Sequence, residues 1–192
     1  MDRHASDPVQ AAREAVIYEA DSGQRRSLTF AELKREVDRF AAGLQRLGVG
    51  KGDRVALFMP PLPEAAVAVL GSAKIGAVVV PAFSGYGSEQ LAARLQAAQA
   101  KVLVTADSTT RRGNAVVMKA IADGAVARSP SVQHQVVIRS SGEAVAMQPG
   151  RDHWWHDLAA PFAPGAAVPA PASPSPFIFW ASRYASARMI SR

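Results

Sequence analysis

The sequence predicts an α/β fold with a mostly parallel sheet and helices on its faces. Three short apolar runs, rich in valine and bounded by glycine or proline, occupy residues 55–59, 77–81 and 102–105. Such runs are typical of strands that are buried on both faces of a sheet. The segments between them have the length and composition of helices. Strands that alternate with helices form βαβ units with right-handed crossovers, which gives the fold class.

A hairpin and a long helix precede these units. Residues 1–12 are polar, and we expect them to be frayed. Residues 15–20 and 27–30 flank a stretch of turn composition, which predicts the hairpin. Thr29 and Glu32 have the spacing of a capping box, so the helix should begin after Thr29. It continues on one apolar stripe: Leu33, Val37, Phe40, Ala41, Leu44 and Leu47.

The glycines after this helix, Gly48, Gly50 and Gly52, have a spacing that suggests a dinucleotide-binding loop. Their order along the chain contradicts that function, because they follow a helix and precede a strand, whereas a phosphate cradle follows a strand and opens a helix. We therefore interpret them as a helix C-cap and a tight turn. The sequence has no Walker-type phosphate loop either.

The central segment continues the alternation. Pro61 and Pro63 suit the first turn of a helix that runs to about Lys74. A loop with two glycines and two aromatic residues, 82–88, should follow the second strand, and Ser88 at its end can cap the next helix.

Further along, we expect a polar loop at 107–113, a helix at 115–127 and a strand at 134–139. Asp152 should cap a short turn through Leu158. The domain that these elements build spans residues 13–160. Six prolines then make residues 161–176 a Pro/Ala linker, and residues 177–192 form an aberrant basic tail with three arginines and no acidic residue.

Composition narrows the functional classes. A chain of 192 residues with 48% hydrophobic and 20% charged residues can form one globular domain. It has no cysteine, which excludes disulfides and thiolate metal sites and fits a cytoplasmic location. Prolines and charged residues interrupt the most apolar region, so we expect no membrane span. The net charge is +6, but half of it lies in the tail and the rest is mixed with acids on helices, so we expect no nucleic-acid partner.

Four short sequence motifs indicate a family resemblance: LTFAEL at 28–33, LGVGKGDRV at 47–55, KIGA at 74–77 and GRDHWW at 150–155. In this order and spacing they resemble the N-terminal part of the AMP-forming acyl-CoA synthetases, members of the adenylate-forming ligase superfamily. The acetyl- and propionyl-CoA synthetase-like branch is the most similar. The likeness covers roughly residues 13–178.

The resemblance implies the first subdomain of the adenylate-forming fold and an ATP-dependent reaction. In this family a small carboxylic acid attacks the α-phosphate of ATP, and the acyl-adenylate then passes its acyl group to CoA. ATP, CoA and Mg²⁺ are the cofactors that the resemblance implies, with Mg²⁺ and hydrogen-bond donors offsetting the charge on the phosphates. Activation of a short-chain acid as its CoA thioester is the expected function.

The family's phosphate loop, rich in Ser, Thr and Gly, is absent where it should follow residue 176. The segment from Phe177 to Ser182 begins like the preceding strand, but the residues after it contain no glycine. Our hypothesis is that a frameshift or truncation near residue 177 replaced the loop. We therefore expect this chain to be inactive as a ligase, assign it no catalytic residue, and expect none of the three cofactors to bind it tightly.

A cofactor-binding site is implied by resemblance alone. In the acetyl-CoA synthetase-like branch, the segment that matches Phe83, Ser84 and Gly85 lies against the adenine of CoA. An arginine that matches Arg111 meets a CoA phosphate. The residue types suit these roles, since an aromatic face can stack on a purine and a guanidinium can pair with a phosphate. A second arginine of the family pattern falls on Asn114 here, and neighbouring Arg112 is the candidate substitute.

His153 and His156 are spaced to meet on one helical turn, which suggests a metal pair. No further His, Cys or acidic cluster completes a coordination set in the sequence, so we predict no metal site. Trp154 and Trp155 are interpreted as apolar packing anchors. His4 and His134 have no partner that the sequence reveals.

Three functional hypotheses follow. The first is an inactive fragment of an acyl-CoA synthetase. The second is a non-catalytic module that binds CoA or a nucleotide, or pairs with a partner. The third is an interaction role for residues 177–192, in which aromatic residues are interleaved with arginines.

Overall fold

The structure, a computed structural model, describes residues 2–20, 23–111 and 113–159. Its elements follow the chain in this order: α1 Asp2–Ser6, α2 Pro8–Ala11, β1 Glu14–Glu19, β2 Arg25–Thr29, α3 Phe30–Arg46, β3 Arg54–Phe58, α4 Pro63–Lys74, β4 Val78–Ala82, α5 Ser88–Ala98, β5 Val102–Ala106, β6 Thr109–Arg111, β7 Asn114–Val116, α6 Met118–Val126, β8 His134–Ile138, β9 Asp152–Trp154 and α7 Trp155–Ala159.

A five-stranded parallel sheet forms the centre, with the strand order β4-β3-β5-β8-β9. All five residues of β5 are buried, as are four of the five in both β3 and β8. Their valine-rich sequences fit strands that are covered on both faces. The predicted α/β class and the three predicted strands of the βαβ units are therefore confirmed.

The helices pack in two groups, α3 with α4 and α7, and α5 with α6. From β3 to β4 the chain moves in one direction across the sheet, and from β4 to β5 it moves in the other. With right-handed crossovers, α4 and α5 therefore lie on opposite faces. The two helical groups cover the two faces of the sheet.

Three predictions between residues 14 and 52 are confirmed. β1 and β2 pair as an antiparallel hairpin. Thr29 is the N-cap of α3, and its hydroxyl accepts a hydrogen bond from the Glu32 amide at 3.2 Å. The Glu32 carboxylate in turn accepts from the Thr29 amide at 2.9 Å, which completes the capping box. Gly48 follows the helix with φ of 73°, and Gly52 has φ of 84°, so these glycines form a helix end and a turn.

Two glycines permit close approaches between elements. A Cβ atom built at Gly71 of α4 would lie 2.8 Å from Cδ1 of Phe40 in α3. One built at Gly43 of α3 would lie 2.7 Å from Cγ of Leu158 in α7. The absence of a side chain at both positions lets α4 and α7 pack directly on α3.

Several local predictions are wrong. Residues 2–11 form two short helices instead of a frayed segment, and the Asp7 carboxylate caps the second one. The region 107–113, expected to be a polar loop, contains β6 and the start of an antiparallel hairpin with β7. As a result α6 begins at Met118, not at residue 115. These elements are short and have local partners: Asp7 accepts from the amides of Val9 and Gln10, and β6 pairs with β7, the next strand. Segments of this length are too short for an apolar period that would predict them.

Two predicted caps are also absent. Gly87 is the N-cap of α5, and the Ser88 hydroxyl donates to the carbonyl of Ile121 at 3.0 Å instead. Asp152 begins strand β9 rather than a helix. The predicted linker at 161–176 and the basic tail at 177–192 lie outside the described residues. Among the described helices, none is long and apolar enough to cross a membrane.

Candidate functional site

The residues implied by resemblance lie together at the carboxyl end of β4. The chain leaves this strand at Phe83 and turns, with the Tyr86 amide donating to the Phe83 carbonyl at 3.0 Å, before α5 begins. Phe83 is 58% exposed. Tyr86 packs edge-on against it, with ring centroids 5.8 Å apart. This contact holds the ring at the surface. Ser84 lies between them and is partly buried.

Arg111, at the end of β6, reaches the same place from another part of the chain. Its guanidinium carbon lies over the Phe83 ring, 5.4 Å from the centroid. Gly85 lies beneath both side chains, since a Cβ atom built there would be 2.5 Å from Cε1 of Phe83 and 3.1 Å from Cζ of Arg111. A larger residue at this position would push the aromatic ring and the cation apart. We call Phe83, Ser84, Gly85 and Arg111 the Phe–Arg patch.

Buried Asp107 fixes the segment that leads to Arg111. Its carboxylate accepts hydrogen bonds from the amides of Ser108, Ser140, Ser141 and Gly142, at distances from 2.6 to 3.3 Å. Burial alone would raise the pKa of Asp107, but these four amides outweigh it and hold the pKa below its ordinary value. The ionised carboxylate therefore ties the loop after β5 to the loop after β8.

The patch lies on the side of the sheet where α/β proteins bind ligands, beyond the carboxyl ends of the strands. It combines an exposed aromatic ring with a guanidinium. Such a pair can stack on a planar base and form charge-assisted hydrogen bonds with a phosphate. The residues thus fit the adenine and phosphate of CoA chemically. The described residues contain no group of three or more His, Cys, Asp or Glu side chains arranged to hold a metal ion.

The two histidines of the GRDHWW-H segment do not meet. His153 lies on β9 and its Nε2 is 3.2 Å from Nδ1 of His134 on β8, while His156 lies in α7 and contacts Asp157 at 3.2 Å. His153 is therefore the partner of His134 that the sequence did not reveal. Burial lowers the pKa of both paired imidazoles. His153 and Lys101 lower the pKa of His134 further, whereas Asp152 opposes the effect of burial on His153.

The tryptophans act as packing residues, as interpreted from the sequence. The Trp155 ring stacks on Phe40 of α3, with centroids 4.3 Å apart. Trp154 lies under the guanidinium of Arg139, whose carbon is 4.4 Å from the ring centroid. The pair therefore fastens β9 and α7 to the rest of the domain.

Sequence reasoning missed a buried ionic network between α6 and β9. Lys119 contacts Asp152 at 2.9 Å and Asp123 at 2.7 Å, and Arg151 contacts both carboxylates at 2.6 Å. Burial alone would raise the pKa of Asp152, but Arg151, the Gln148 amide and Lys119 lower it below the ordinary value. The sequence indicated this network only through the motif Gly-Arg-Asp at residues 150–152. Lys119 is separated from it by about thirty residues, so spacing could not pair them.

Known proteins share the sequence of most of this chain. The family model described as "AMP-binding enzyme" matches residues 3–178. Acetyl-coenzyme A synthetase of Streptomyces coelicolor is 45% identical over 157 residues, which cover 82% of this chain and 24% of that protein. Acetyl-coenzyme A synthetase of Deinococcus radiodurans is 45% identical over 147 residues, covering 76% of this chain and 23% of that protein.

A solved structure has the same fold. Acetoacetyl-CoA synthetase from Streptomyces lividans superposes with a TM-score of 0.76 at 28% identity, over 88% of this chain and 25% of that one. The chain therefore spans about a quarter of the length of the relatives it matches. The expected likeness to the adenylate-forming fold is confirmed. The chain belongs to the AMP-binding enzyme family, and the relatives that it matches are acyl-CoA synthetases.

Proposed function

We propose that this chain is a segment of an ATP-dependent acyl-CoA synthetase that acts on a short carboxylic acid, and that its own contribution is contact with CoA. The observation that carries the proposal is the Phe–Arg patch, in which Arg111 lies over Phe83 and Gly85 leaves room for both. The names of the relatives, acetyl-coenzyme A and acetoacetyl-CoA synthetases, support the substrate class.

In this proposal the adenine of CoA stacks on the exposed Phe83 ring, and a CoA phosphate accepts hydrogen bonds from Arg111. Stacking of one base on an aromatic ring contributes about 1–3 kcal/mol. A charge-assisted hydrogen bond contributes about 1.5–3 kcal/mol. Together these are close to the roughly 4 kcal/mol that corresponds to a dissociation constant of about 1 mM. The lost translational and rotational freedom of CoA reduces the net binding free energy further. Binding of CoA to this chain should therefore be weak.

The adenylation step requires groups that the 192 residues do not supply. Charge develops on the phosphates of ATP in that step, and a glycine-rich loop and Mg²⁺ are expected to stabilise it. Residues 177–192 contain no glycine. We propose that this chain alone catalyses no ATP–pyrophosphate exchange, and that ATP, Mg²⁺ and the acid act in a longer family member in the cytoplasm.

A non-catalytic module that binds CoA or a nucleotide is the second candidate. One observation favours it: Arg111 lies over Phe83, and Gly85 leaves room for both side chains, within this chain alone. The patch would then function without the rest of a synthetase. If the chain is a synthetase segment, ATP–pyrophosphate exchange should appear when the missing family segments are supplied as a second polypeptide. If it is a non-catalytic module, no exchange should appear.

Calorimetry with CoA at millimolar concentration tests the proposal. The wild-type chain should bind CoA, and the Arg111→Gln and Phe83→Ala variants should each weaken binding about tenfold, the equivalent of roughly 1.4 kcal/mol. Arg128→Gln is the matched control for the cation, since Arg128 is exposed at the far end of α6 and paired with Glu89. Ile17→Ala is the control for the ring, because Ile17 has the same 58% exposure.

Three ligands separate the parts of the site. CoA and adenosine 3′,5′-bisphosphate should bind alike, and pantetheine, which lacks base and phosphate, should not bind. Equal binding of pantetheine, or unchanged affinity in both site variants, would refute the Phe–Arg patch as the CoA contact. Exchange of labelled pyrophosphate into ATP above background, with acetate present, would refute the proposed inactivity of the isolated chain.

A further inference from the structure

His134 and His153 face each other across two neighbouring strands, away from the Phe–Arg patch. The parallel pairing of β8 and β9 sets His153 opposite Val136, two residues along β8 from His134. The Nδ1 atom of His134 lies 3.2 Å from Nε2 of His153, and the ring centroids are 5.2 Å apart with 56° between the planes. The backbone ladder therefore fixes the relative positions of the two rings.

This spacing is that of two ligands on one metal ion. Imidazole nitrogens bind Zn²⁺ at about 2.0–2.1 Å, and two of them at a tetrahedral ion lie about 3.4 Å apart. The observed 3.2 Å differs from this by a few tenths of an ångström. Without a metal, the same two nitrogens can hold at most one proton between them. A divalent ion would replace that proton.

The surroundings admit an ion and its water ligands. His153 lines a cleft of about 370 Å³ together with Asp152, Asp157 and Arg46. The Arg46 guanidinium donates to the Leu158 carbonyl, and the two carboxylates offset its charge. Lys101 acts electrostatically on the His134 ring, and its ammonium is 2.9 Å from the Asp53 carboxylate and 2.6 Å from the Gly48 carbonyl. Its charge is therefore largely offset. The access and the local charge both allow a divalent cation at the pair.

We propose that His134 and His153 form a two-imidazole site for a borderline divalent transition-metal ion, such as Zn²⁺, Ni²⁺ or Cu²⁺, with water filling the remaining positions. Imidazole ligands suit these ions, whereas Mg²⁺ prefers oxygen ligands and is not expected to bind. The bound ion links β9, and with it the edge of the sheet, to β8. This site is independent of the proposed CoA contact.

Metal-dependent stabilisation follows from this arrangement, because only the folded chain brings the two rings together. An ion that binds the native state raises the unfolding temperature in proportion to the logarithm of its concentration above the dissociation constant. We expect NiCl₂ and ZnCl₂, at about 1 mM, to raise the melting temperature of the whole chain measurably. MgCl₂ at the same concentration should not.

The four histidines of the chain supply matched variants. His134→Gln and His153→Gln should each abolish the Ni²⁺-dependent rise, while His4→Gln and His156→Gln should retain it. His4 and His156 are suitable controls because they lie in α1 and α7 rather than in the pair. Absence of a Ni²⁺ effect in the wild type, or its persistence in His153→Gln, would overturn the proposal.

A second measurement does not depend on the pair variants folding. One equivalent of Cu²⁺ is added to the His4→Gln variant, so that a histidine near the N-terminus does not compete, and the electron paramagnetic resonance spectrum is recorded. The site predicts hyperfine coupling to two imidazole nitrogens. A spectrum with one nitrogen ligand, or with none, would overturn the proposal irrespective of the stability data.

Discussion

The Lys119 ammonium lies 2.9 Å from the Asp152 carboxylate, and the two side chains are 2% and 0% exposed. The pair joins α6 to the edge strand β9. Two further charges, Asp123 and Arg151, complete the network around it. A buried ion pair contributes little net stability over an apolar pair, but loss of one partner leaves the other charge buried alone. The network should therefore be sensitive to single substitutions.

Replacing Lys119 with Met should destabilise the domain by about 3 kcal/mol, since removal of one partner of a buried pair costs about 3–5 kcal/mol. Neighbouring Arg151 still neutralises part of the Asp152 charge, so the loss of stability should be at the lower end of this range. Urea unfolding measures the change. Lys51→Met, at an exposed turn, is the control and should change the free energy of unfolding by less than about 0.5 kcal/mol. Equal effects of the two substitutions would contradict the network's role.

Gly71→Ala should destabilise the contact between α3 and α4, although alanine favours a helix over glycine by about 1 kcal/mol. The added Cβ would meet Phe40 at 2.8 Å and the Val37 carbonyl at 3.3 Å, and overpacking of this kind costs about 1–3 kcal/mol. Gly50→Ala is the control, because a Cβ there meets nothing within 4 Å. A stabilised Gly71→Ala variant in urea unfolding would show that the helices separate without cost.

Thr29→Ala should cost about 1 kcal/mol of stability through loss of the α3 capping box. Thr29→Ser keeps the hydroxyl and should remain close to the wild type. Thr29 is also the last residue of β2. If serine destabilised the domain as much as alanine did, the β-branched methyl group in the strand would be the important feature, and the cap would not.

Asp107 should make stability depend on pH. Its folded pKa is lowered, so the ionised carboxylate contributes stability that is present above the unfolded pKa of about 3.9 and is lost as the pH falls through the folded value. Hydrogen bonds to a charged group are worth about 1.5–3 kcal/mol each, so Asp107→Asn should be clearly less stable at pH 7.

The pH dependence of that difference is the critical observation. Urea unfolding of the wild type and Asp107→Asn, compared from pH 7 downward, should show the gap narrowing as the pH falls below about 4. Other carboxylates titrate equally in both proteins and cancel in the comparison. A gap that stayed constant to low pH would assign the effect to packing of the side chain rather than to its charge.

The central strands, the capping box of α3 and the C-terminal end of that helix could be predicted because each depends on residues close in sequence. Valine runs, Thr29 with Glu32, and Gly48 carry their own local signal. Strand β9 and the β6–β7 hairpin have three residues per strand, too few for a periodic pattern. Strand β9 also depends on a distant partner, β8, whereas β6 and β7 pair with each other. The sequence therefore predicted a capped turn and a loop instead.

For the candidate site, too, some features could be predicted from the sequence and others appear only in the fold. Phe83 and Arg111 were identified only by resemblance, since neither has a pattern that indicates binding. Their contact and the exposure of the ring emerge from the fold. The pairing of His134 with His153 depends on the register of β8 with β9, which no sequence spacing reveals. The geometry of both proposed sites therefore depends on contacts between segments that are distant in sequence.

The proposed CoA contact is tested most directly by amide chemical-shift mapping. The ¹⁵N-labelled chain is titrated with CoA to about 10 mM, a range that covers the weak affinity expected. We expect the amide signals of Ser84, Gly85, Tyr86 and Arg111 to shift together along one saturation curve. Signals that shift in another region while these four remain fixed, or no shift at the highest concentration, would contradict it.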